Sequence, residues 1–173
     1  MALADGDFRL VEEKVTAALL ADTEEGGLRE TGAPAVASAR PGDAALVEAL
    51  GQAEFPALLV RAESKKEEPG QPAAAVLKSF LVRVLAAERG HDREAAEAKT
   101  RRIAARVEEV LRRQNRLDRQ LGGLADLIEG AEGVLFTTLT ETRFQETVAG
   151  TERILARATV EVLIQVPCAF RYE

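Results

Sequence analysis

The chain has 173 residues, of which 46% are hydrophobic and 30% are charged. This length suits one domain, residues 1–173, and a chain of this size can bury about 70% of its unfolded surface. The single cysteine, Cys168, excludes an intrachain disulfide, and no apolar run approaches the roughly 20 residues of a membrane span. The net charge of -6 argues against a chain that coats nucleic acid along its whole surface.

The N-terminal part of the chain predicts a helix, a loop and a second short helix. Apolar residues recur at helical spacing over Asp7–Leu20, which predicts an amphipathic helix. Glycines, prolines and acidic residues dominate the stretch 22–42, and this composition predicts a loop or an extended arm. Asp43 has the chemistry of an N-cap, so a short helix is expected over 44–50.

Two apolar runs in the middle of the chain predict a β-hairpin. Phe55–Ala62 and Val76–Ala87 have strand length and are rich in apolar and β-branched residues. The stretch between them, 64–72, is charged and contains prolines and a glycine, so we expect an exposed hairpin loop. The charged residues of this loop are Lys65, Lys66, Glu67 and Glu68.

The longest helix is expected to begin at residues 90–92, to run to about Gln120 and to end at Gly122 and Gly123. Its apolar residues fall on one side of a helical wheel, which predicts a face that packs on a core. These residues are Ala96, Ile103, Val107, Val110, Leu111, Leu117 and Leu121. The opposite side carries Arg101, Arg102, Arg106, Arg112, Arg113 and Arg116.

Two further strands with alternating patterns close the chain. In the first, Val134, Phe136, Thr138, Thr140 and Thr142 are expected to share one face. In the second, the even-numbered residues of 154–166 are all apolar, and a loop-length stretch separates the two strands, which predicts an antiparallel pair. The sequence thus predicts an α+β fold with a mixed, largely antiparallel sheet of about four strands packed on a long helix, plus an N-terminal helix and extended loops.

The residues supply no recognisable catalytic, cofactor or metal site. The only histidine, His91, lies beside Asp92 at the start of the long helix, where a capping role is expected. No cysteine pair has zinc spacing, and neither a phosphate-binding loop nor a nucleophile elbow occurs. We therefore expect a protein that is not an enzyme and holds no cofactor.

Charge is distributed unevenly along the chain. Residues 93–119 hold nine basic residues against five acidic ones, whereas residues 1–30 hold eight acidic residues against three basic ones. These segments could be neighbours within one chain or could attract copies of the chain to each other. A solvated helix face, a subunit contact and a nucleic-acid contact all remain open, although the scarcity of aromatic residues makes nucleic-acid recognition the least favoured.

The order of these elements resembles that of the tail terminator (tail completion) proteins of long-tailed bacteriophages. The resemblance covers most of the chain and is carried by the stretches EFPALLVRAES, SFLVRVLAAERGHDREAAEAKTRRIAARVEEVLR and GVLFTTLTETRFQETVAGTERILARATVEVLIQV. It implies a structural protein of the virion tail or neck, assembled in the host cytoplasm, that forms a ring, most often a hexamer. Such a ring binds the end of the tail tube, stops polymerisation and faces the head-side connector.

The resemblance also implies partners and contact residues. Arg101, Arg102, Arg106, Arg112 and Arg113 are expected at an intersubunit or outer face, because heterologous rings join two different surfaces of the subunit. The loop at Lys65, Lys66, Glu67 and Glu68 is expected to contact the neighbouring ring. The partners are then further copies of the chain, the tail tube protein, the head–tail connector or neck protein and, in a particle that has one, the tail sheath. Two alternatives remain open: a head-completion or neck connector ring, and a cytosolic helical adaptor.

Overall fold

The protein forms one sheet with helices on one of its faces, and the computed structural model describes residues 6–69 and 75–169. The helices are α1 (Gly6–Leu20), α2 (Arg93–Arg113) and α3 (Gln120–Leu127). The strands are β1 (Ser38–Pro41), β2 (Ala57–Pro69), β3 (Ala75–Gly90), β4 (Phe136–Phe144), β5 (Val148–Ala149) and β6 (Ile154–Ala169). Two 3-10 helices, Ala44–Ala49 and Gln52–Glu54, connect β1 to β2.

The sheet has the order β1-β2-β3-β6-β4, and the short β5 also pairs with β6. Only β1 and β2 run parallel; all other neighbours are antiparallel. This confirms the predicted α+β class, the mixed and largely antiparallel sheet, and the antiparallel closing pair. The sheet has six strands instead of about four, because β1 and β5 are too short to give a recognisable pattern in the sequence.

The hairpin between β2 and β3 is longer than the sequence predicts. Residues 64–69 continue β2, and the pairing runs from Ser64 opposite Leu81 to Pro69 opposite Val76. The prediction of an exposed loop at 64–72 is therefore wrong for 64–69, while 70–72 lie outside the described residues. The backbone of a charged segment can pair as a strand when the opposite strand continues, since its side chains still reach water.

The stretch 22–42 packs against the body of the protein instead of extending as an arm. Leu28 and Val36 are each 1% exposed, and the Val36 amide donates a hydrogen bond to the Leu28 carbonyl at 3.0 Å. The stretch ends in β1, whose residues pair in parallel with the first residues of β2. Two isolated apolar residues in a polar loop thus help to anchor it.

Helix α2 begins as predicted but ends sooner. The Asp92 carboxylate accepts a hydrogen bond from the Ala95 amide at 3.0 Å and so caps the first turn. The helix stops at Arg113, well before Gln120, and the following turn leaves Leu117 81% exposed. The assignment of Leu117 to the apolar face is therefore wrong. Leu121 is buried, but in α3, where it has a positive φ.

The main core lies between the helices and one face of the sheet. The even-numbered residues of β6 from Ala158 to Cys168 point into it, as the alternation predicts for 158–166. In β4 the prediction that Val134, Phe136, Thr138, Thr140 and Thr142 share one face is wrong beyond Leu139, because a bulge changes the alternation there. Phe136 is 54% exposed on the outer face, whereas the Thr142 hydroxyl donates to Glu108 of α2. Helix α2 contributes Ile103, Ala104, Val107, Val110 and Leu111 to the same core.

Candidate functional site

The arginine face of α2 is partly engaged by the chain itself. Arg106 donates to both carboxylate oxygens of Asp22, at 2.8 Å from Nε and 2.6 Å from Nη2. The Asp22 side chain is only 4% exposed, and its carboxylate also accepts a hydrogen bond from the Leu28 amide at 2.7 Å. The sequence left open whether the acidic and basic segments meet within one chain, and here they do.

A second carboxylate joins Arg106 to the next arginine of the same face. Glu24 forms ion pairs with both Arg106 and Arg113, and Glu109 also pairs with both of these arginines. The hydrogen bonds from Arg113 and Arg106 lower the pKa of the Glu24 carboxyl. Burial on its own would raise the pKa of Asp22, but the hydrogen bonds from Arg106 and Leu28 outweigh it, so this pKa is lowered as well.

The other predicted contact arginines lie at the surface. Arg112 is paired with Glu108 at 3.5 Å within the helix, and Arg102 is exposed with no ion-pair partner among the described residues. The Arg101 guanidinium lies 5.3 Å from the centroid of the Phe144 ring, a cation–π contact at the end of β4. These three arginines are therefore available to a partner, whereas Arg106 and Arg113 already have carboxylate partners.

The charged end of the hairpin is anchored on one face and exposed on the other. Lys65 and Lys78 both approach the Asp7 carboxylate, at 3.7 and 3.3 Å, and this ties the start of α1 to β2 and β3. Lys66 pairs with Glu68 at 2.5 Å on the opposite face, where the Lys66 side chain is 72% exposed. Of the predicted contact residues, Lys66 and Glu68 thus point away from the helices.

The sheet face that points away from the helices is covered only near the start of β2. There, Val47 of the first 3-10 helix, Leu50 directly after it and Phe55 form a small second core on the strands. The sheet contributes Ala57, Leu59, Leu85 and Ala87 to this second core. We call this the covered half of the outer face.

The remaining part of that face, which we call the open half, has no second layer among the described residues. Its apolar side chains are partly or largely exposed, and Phe136 is the most exposed at 54%. They alternate with charged residues, as in the pair formed by Arg83 and Glu161 at 2.7 Å. The apolar members are Leu77, Leu81, Phe136, Leu163 and Pro167.

The middle of the sheet contains a row at which β2 and β4 are both irregular. Val82 of β3 pairs with Val162 of β6 in the middle of this row. Beside it, β2 has a bulge between Ala62 and Ser64, and β4 has one between Leu139 and Glu141. A bulge adds one residue to a strand, bends it and increases its twist, so the sheet changes direction at this row.

The outer edges of the sheet differ in how they are closed. The Asn115 side chain closes the start of β4, because its amide nitrogen donates to the Thr137 carbonyl at 2.8 Å and its oxygen accepts from the Thr137 amide at 2.5 Å. On the other edge, β1 covers β2 only from Ala57 to Val60. Beyond the end of β1, the Glu12 carboxylate accepts a hydrogen bond from the Ala62 amide of β2 at 2.9 Å, so this amide also has a partner.

Sites for small ligands are weakly developed over 6–69 and 75–169. No group of three or more His, Cys, Asp or Glu side chains in these ranges is placed to hold a metal ion. A cleft of about 580 Å³ lies between α1 and the start of α3 and is lined by small and polar residues such as Ala17, Gln114 and Arg119. His91 is exposed, and Asp92 performs the capping by itself.

No protein-family model matches the chain, and no curated protein matches it significantly. Of the helices in the described part of the chain, none has the length and apolar character needed to cross a membrane.

Proposed function

We propose that the protein is a structural subunit that assembles into a ring at the head-proximal end of a phage tail, where it stops tube polymerisation and joins the tail to the neck. One observation carries the proposal: the open half of the outer face presents Leu77, Leu81 and Leu163 without a covering layer, next to the charged end of the hairpin. Apolar side chains exposed without a covering layer are typical of protein contact sites.

The order of elements adds support from the sequence side. An N-terminal helix, a long hairpin, an arginine-rich helix and a closing antiparallel pair occur in the order that the resemblance to tail terminators requires. In the proposed ring, Arg101, Arg102 and Arg112 lie at the intersubunit or outer face. The exposed pair Lys66 and Glu68 lies where β2 meets the tube or neck. The arginine set and the Lys66–Glu68 pair lie on different elements, α2 and β2.

Two other functions compete with this proposal. A head-completion or neck connector ring would use the same self-association and differ only in its axial partner. A cytosolic helical adaptor would need an unpartnered apolar helix face, but Val107 and Leu111 of α2 are 0% exposed against the sheet. The adaptor therefore gains no support from the packing of α2.

The solution mass tests the self-association. Light scattering after size exclusion, across a concentration series, should give a ring, or a monomer that forms a ring when tail tubes of the same particle are added. Negative-stain images should show a closed particle. A chain that remains a monomer at all concentrations and on tubes contradicts the proposal.

Tube binding separates the terminator from the neck connector. The terminator should cosediment with purified tail tubes, and Glu68→Lys should weaken this binding. Glu48→Lys is the matched control, because Glu48 is an exposed glutamate of the first 3-10 helix, on the covered half, and the charge change is identical. A ring that binds the connector and not the tube would favour the neck protein.

A further inference from the structure

The outer edge of β4 has unpaired backbone groups beyond the position that Asn115 closes. The Gln145 amide donates to the Arg157 carbonyl, so the backbone groups of Gln145 point towards β6. The alternation of an antiparallel strand then turns the backbone N–H and C=O groups of Phe144 and Thr142 away from β6. Leu139 faces outward on the other side of the bulge, two residues after Thr137. No described residue hydrogen-bonds to the outward backbone groups of these three residues.

The opposite edge of the sheet is open in the same way. The backbone amide of Ala62 points away from β3, and the bulge inserts Glu63 after it. The alternation of the strand then turns the backbone N–H and C=O groups of Lys65 and Glu67 away from β3, whereas those of Ser64 and Lys66 point towards β3. Beyond Val60, where the pairing with β1 has stopped, no described strand lies beside β2. The sheet therefore ends on both sides in short stretches that can accept another strand.

The strand directions allow these two edges to meet between copies. From β2 through β3 and β6 to β4 each strand is antiparallel to the one before, so β4 runs opposite to β2. When copies stand side by side in one orientation, β4 of one copy is antiparallel to β2 of the next, and antiparallel strands pair directly along their edges. The contact is heterologous, as a ring requires.

The charges on the two edges favour one register. If the outward residue Thr142 pairs with the outward residue Lys65, then Glu141 lies directly opposite Lys66, and opposite charges at such a position stabilise a sheet. A shift of two residues towards the hairpin tip places Arg143 opposite Lys66, which is a repulsive pair. Charges and bulges at sheet edges also discourage unspecific strand pairing, so the same features admit one partner and exclude others.

We infer that copies of this chain join head to tail by pairing the outer edge of β4 (Leu139–Phe144) with the outer edge of β2 (Ser64–Glu67) of the next copy, which continues one sheet through the assembly. The inference rests on the self-association in the proposed function and adds the contact that closes the ring. Arg101 stands beside this edge, over Phe144, so this predicted contact residue of α2 lies on the same side of the subunit.

A proline at an outward position tests the pairing. Thr142→Pro removes an amide that faces the partner and leaves the hydrogen bonds to β6 in place, because Thr142 does not donate to β6. Thr142→Val is the control, since both changes remove the hydroxyl that donates to Glu108. We expect Thr142→Pro to shift assembly to at least tenfold higher concentration with an unchanged circular dichroism spectrum, and Thr142→Val to assemble as the wild type does.

Disulfide trapping tests the register and does not depend on the proline variant. Residues opposite each other at a pair without backbone hydrogen bonds have Cα atoms about 4.5 Å apart, within the range that a disulfide spans. With copper phenanthroline and dissolved oxygen as the oxidant, a mixture of Glu141→Cys and Lys66→Cys proteins should give a covalent dimer that neither protein gives alone. The double variant should give a ladder of oligomers up to the ring.

The outcomes separate this inference from the proposed function. Suppose that the wild type forms a ring. If Thr142→Pro forms it equally well, or if the mixture of the two cysteine variants gives no covalent dimer, the edge pairing is wrong and the proposed ring remains. A wild-type chain that never self-associates overturns both. A ring that is lost with Thr142→Pro, kept with Thr142→Val and trapped by the mixed disulfide supports both.

Discussion

Arg106 holds Asp22 in a two-point ion pair across 84 residues of sequence, with contacts of 2.8 and 2.6 Å. The guanidinium and the carboxylate meet as two planar groups, which is the strongest geometry for such a pair. The Asp22 carboxylate also accepts from the Leu28 amide, so one contact fixes the loop after α1 on the middle of α2. The arginine most central to the basic face therefore acts within the subunit.

Arg106→Ala should lower the free energy of unfolding by about 3 kcal/mol, because it leaves the buried Asp22 carboxylate without its cation. Arg102→Ala, four residues earlier on the same helix, should change it by less than about 0.5 kcal/mol, since Arg102 is exposed. Urea unfolding followed by circular dichroism measures both. Equal effects of the two substitutions would contradict an internal role for Arg106.

Stability should fall in mild acid. The pKa of Asp22 and that of Glu24 are both lowered in the folded protein from ordinary values of 3.8 and 4.5, so their stabilising contribution is complete above those values and is lost as the pH falls below them. We expect the free energy of unfolding to decline between about pH 5 and pH 3. Asp22→Asn should be less stable at pH 7 and show a shallower decline; an unchanged slope would rule out Asp22 as a source of the pH dependence.

Charge reversal on α2 should impair assembly only at the arginines that the fold leaves available. Arg102→Glu combined with Arg112→Glu should shift the ring towards monomers, measured by light scattering, and leave the thermal midpoint within a few degrees. Arg116→Glu combined with Arg119→Glu makes the same charge change on the exposed turn after α2 and serves as the control. If both double variants assemble alike, the predicted interface on α2 is wrong.

Phe136→Ser should weaken assembly or tube binding with little loss of stability, because the Phe136 side chain is 54% exposed on the open half of the outer face. Leu117→Ser removes another exposed apolar side chain, 81% exposed, from a turn away from that face. Unfolding curves of both variants should lie close to that of the wild type. Cosedimentation and light scattering should distinguish them, and an identical outcome would mean that the open half is not a contact surface.

Local patterns predicted the elements that depend on local interactions. The alternation in β6 identified the buried even-numbered residues, and Asp92 marked the start of α2. Patterns failed where a distant segment decides the structure: β2 continues to Pro69 because β3 lies beside it. At the candidate site, sequence reasoning placed all of the arginines at a surface, since no periodicity can reveal that Asp22 and Glu24 occupy two of them.

The bulges in β2 and β4, beside the Val82–Val162 row, change which side chains point to the helices before and after them. In β2, Leu58, Val60 and Ala62 point to the helices before the bulge, whereas Lys65 and Glu67 do so after it. The first part of β2 can therefore contribute apolar side chains to the core, while its last part contributes the ion pair of Lys65 with Asp7. Towards the start of β2 the sheet is packed on both faces, whereas towards the tip of the hairpin its outer face has no covering layer among the described residues, so another molecule can complete the packing there.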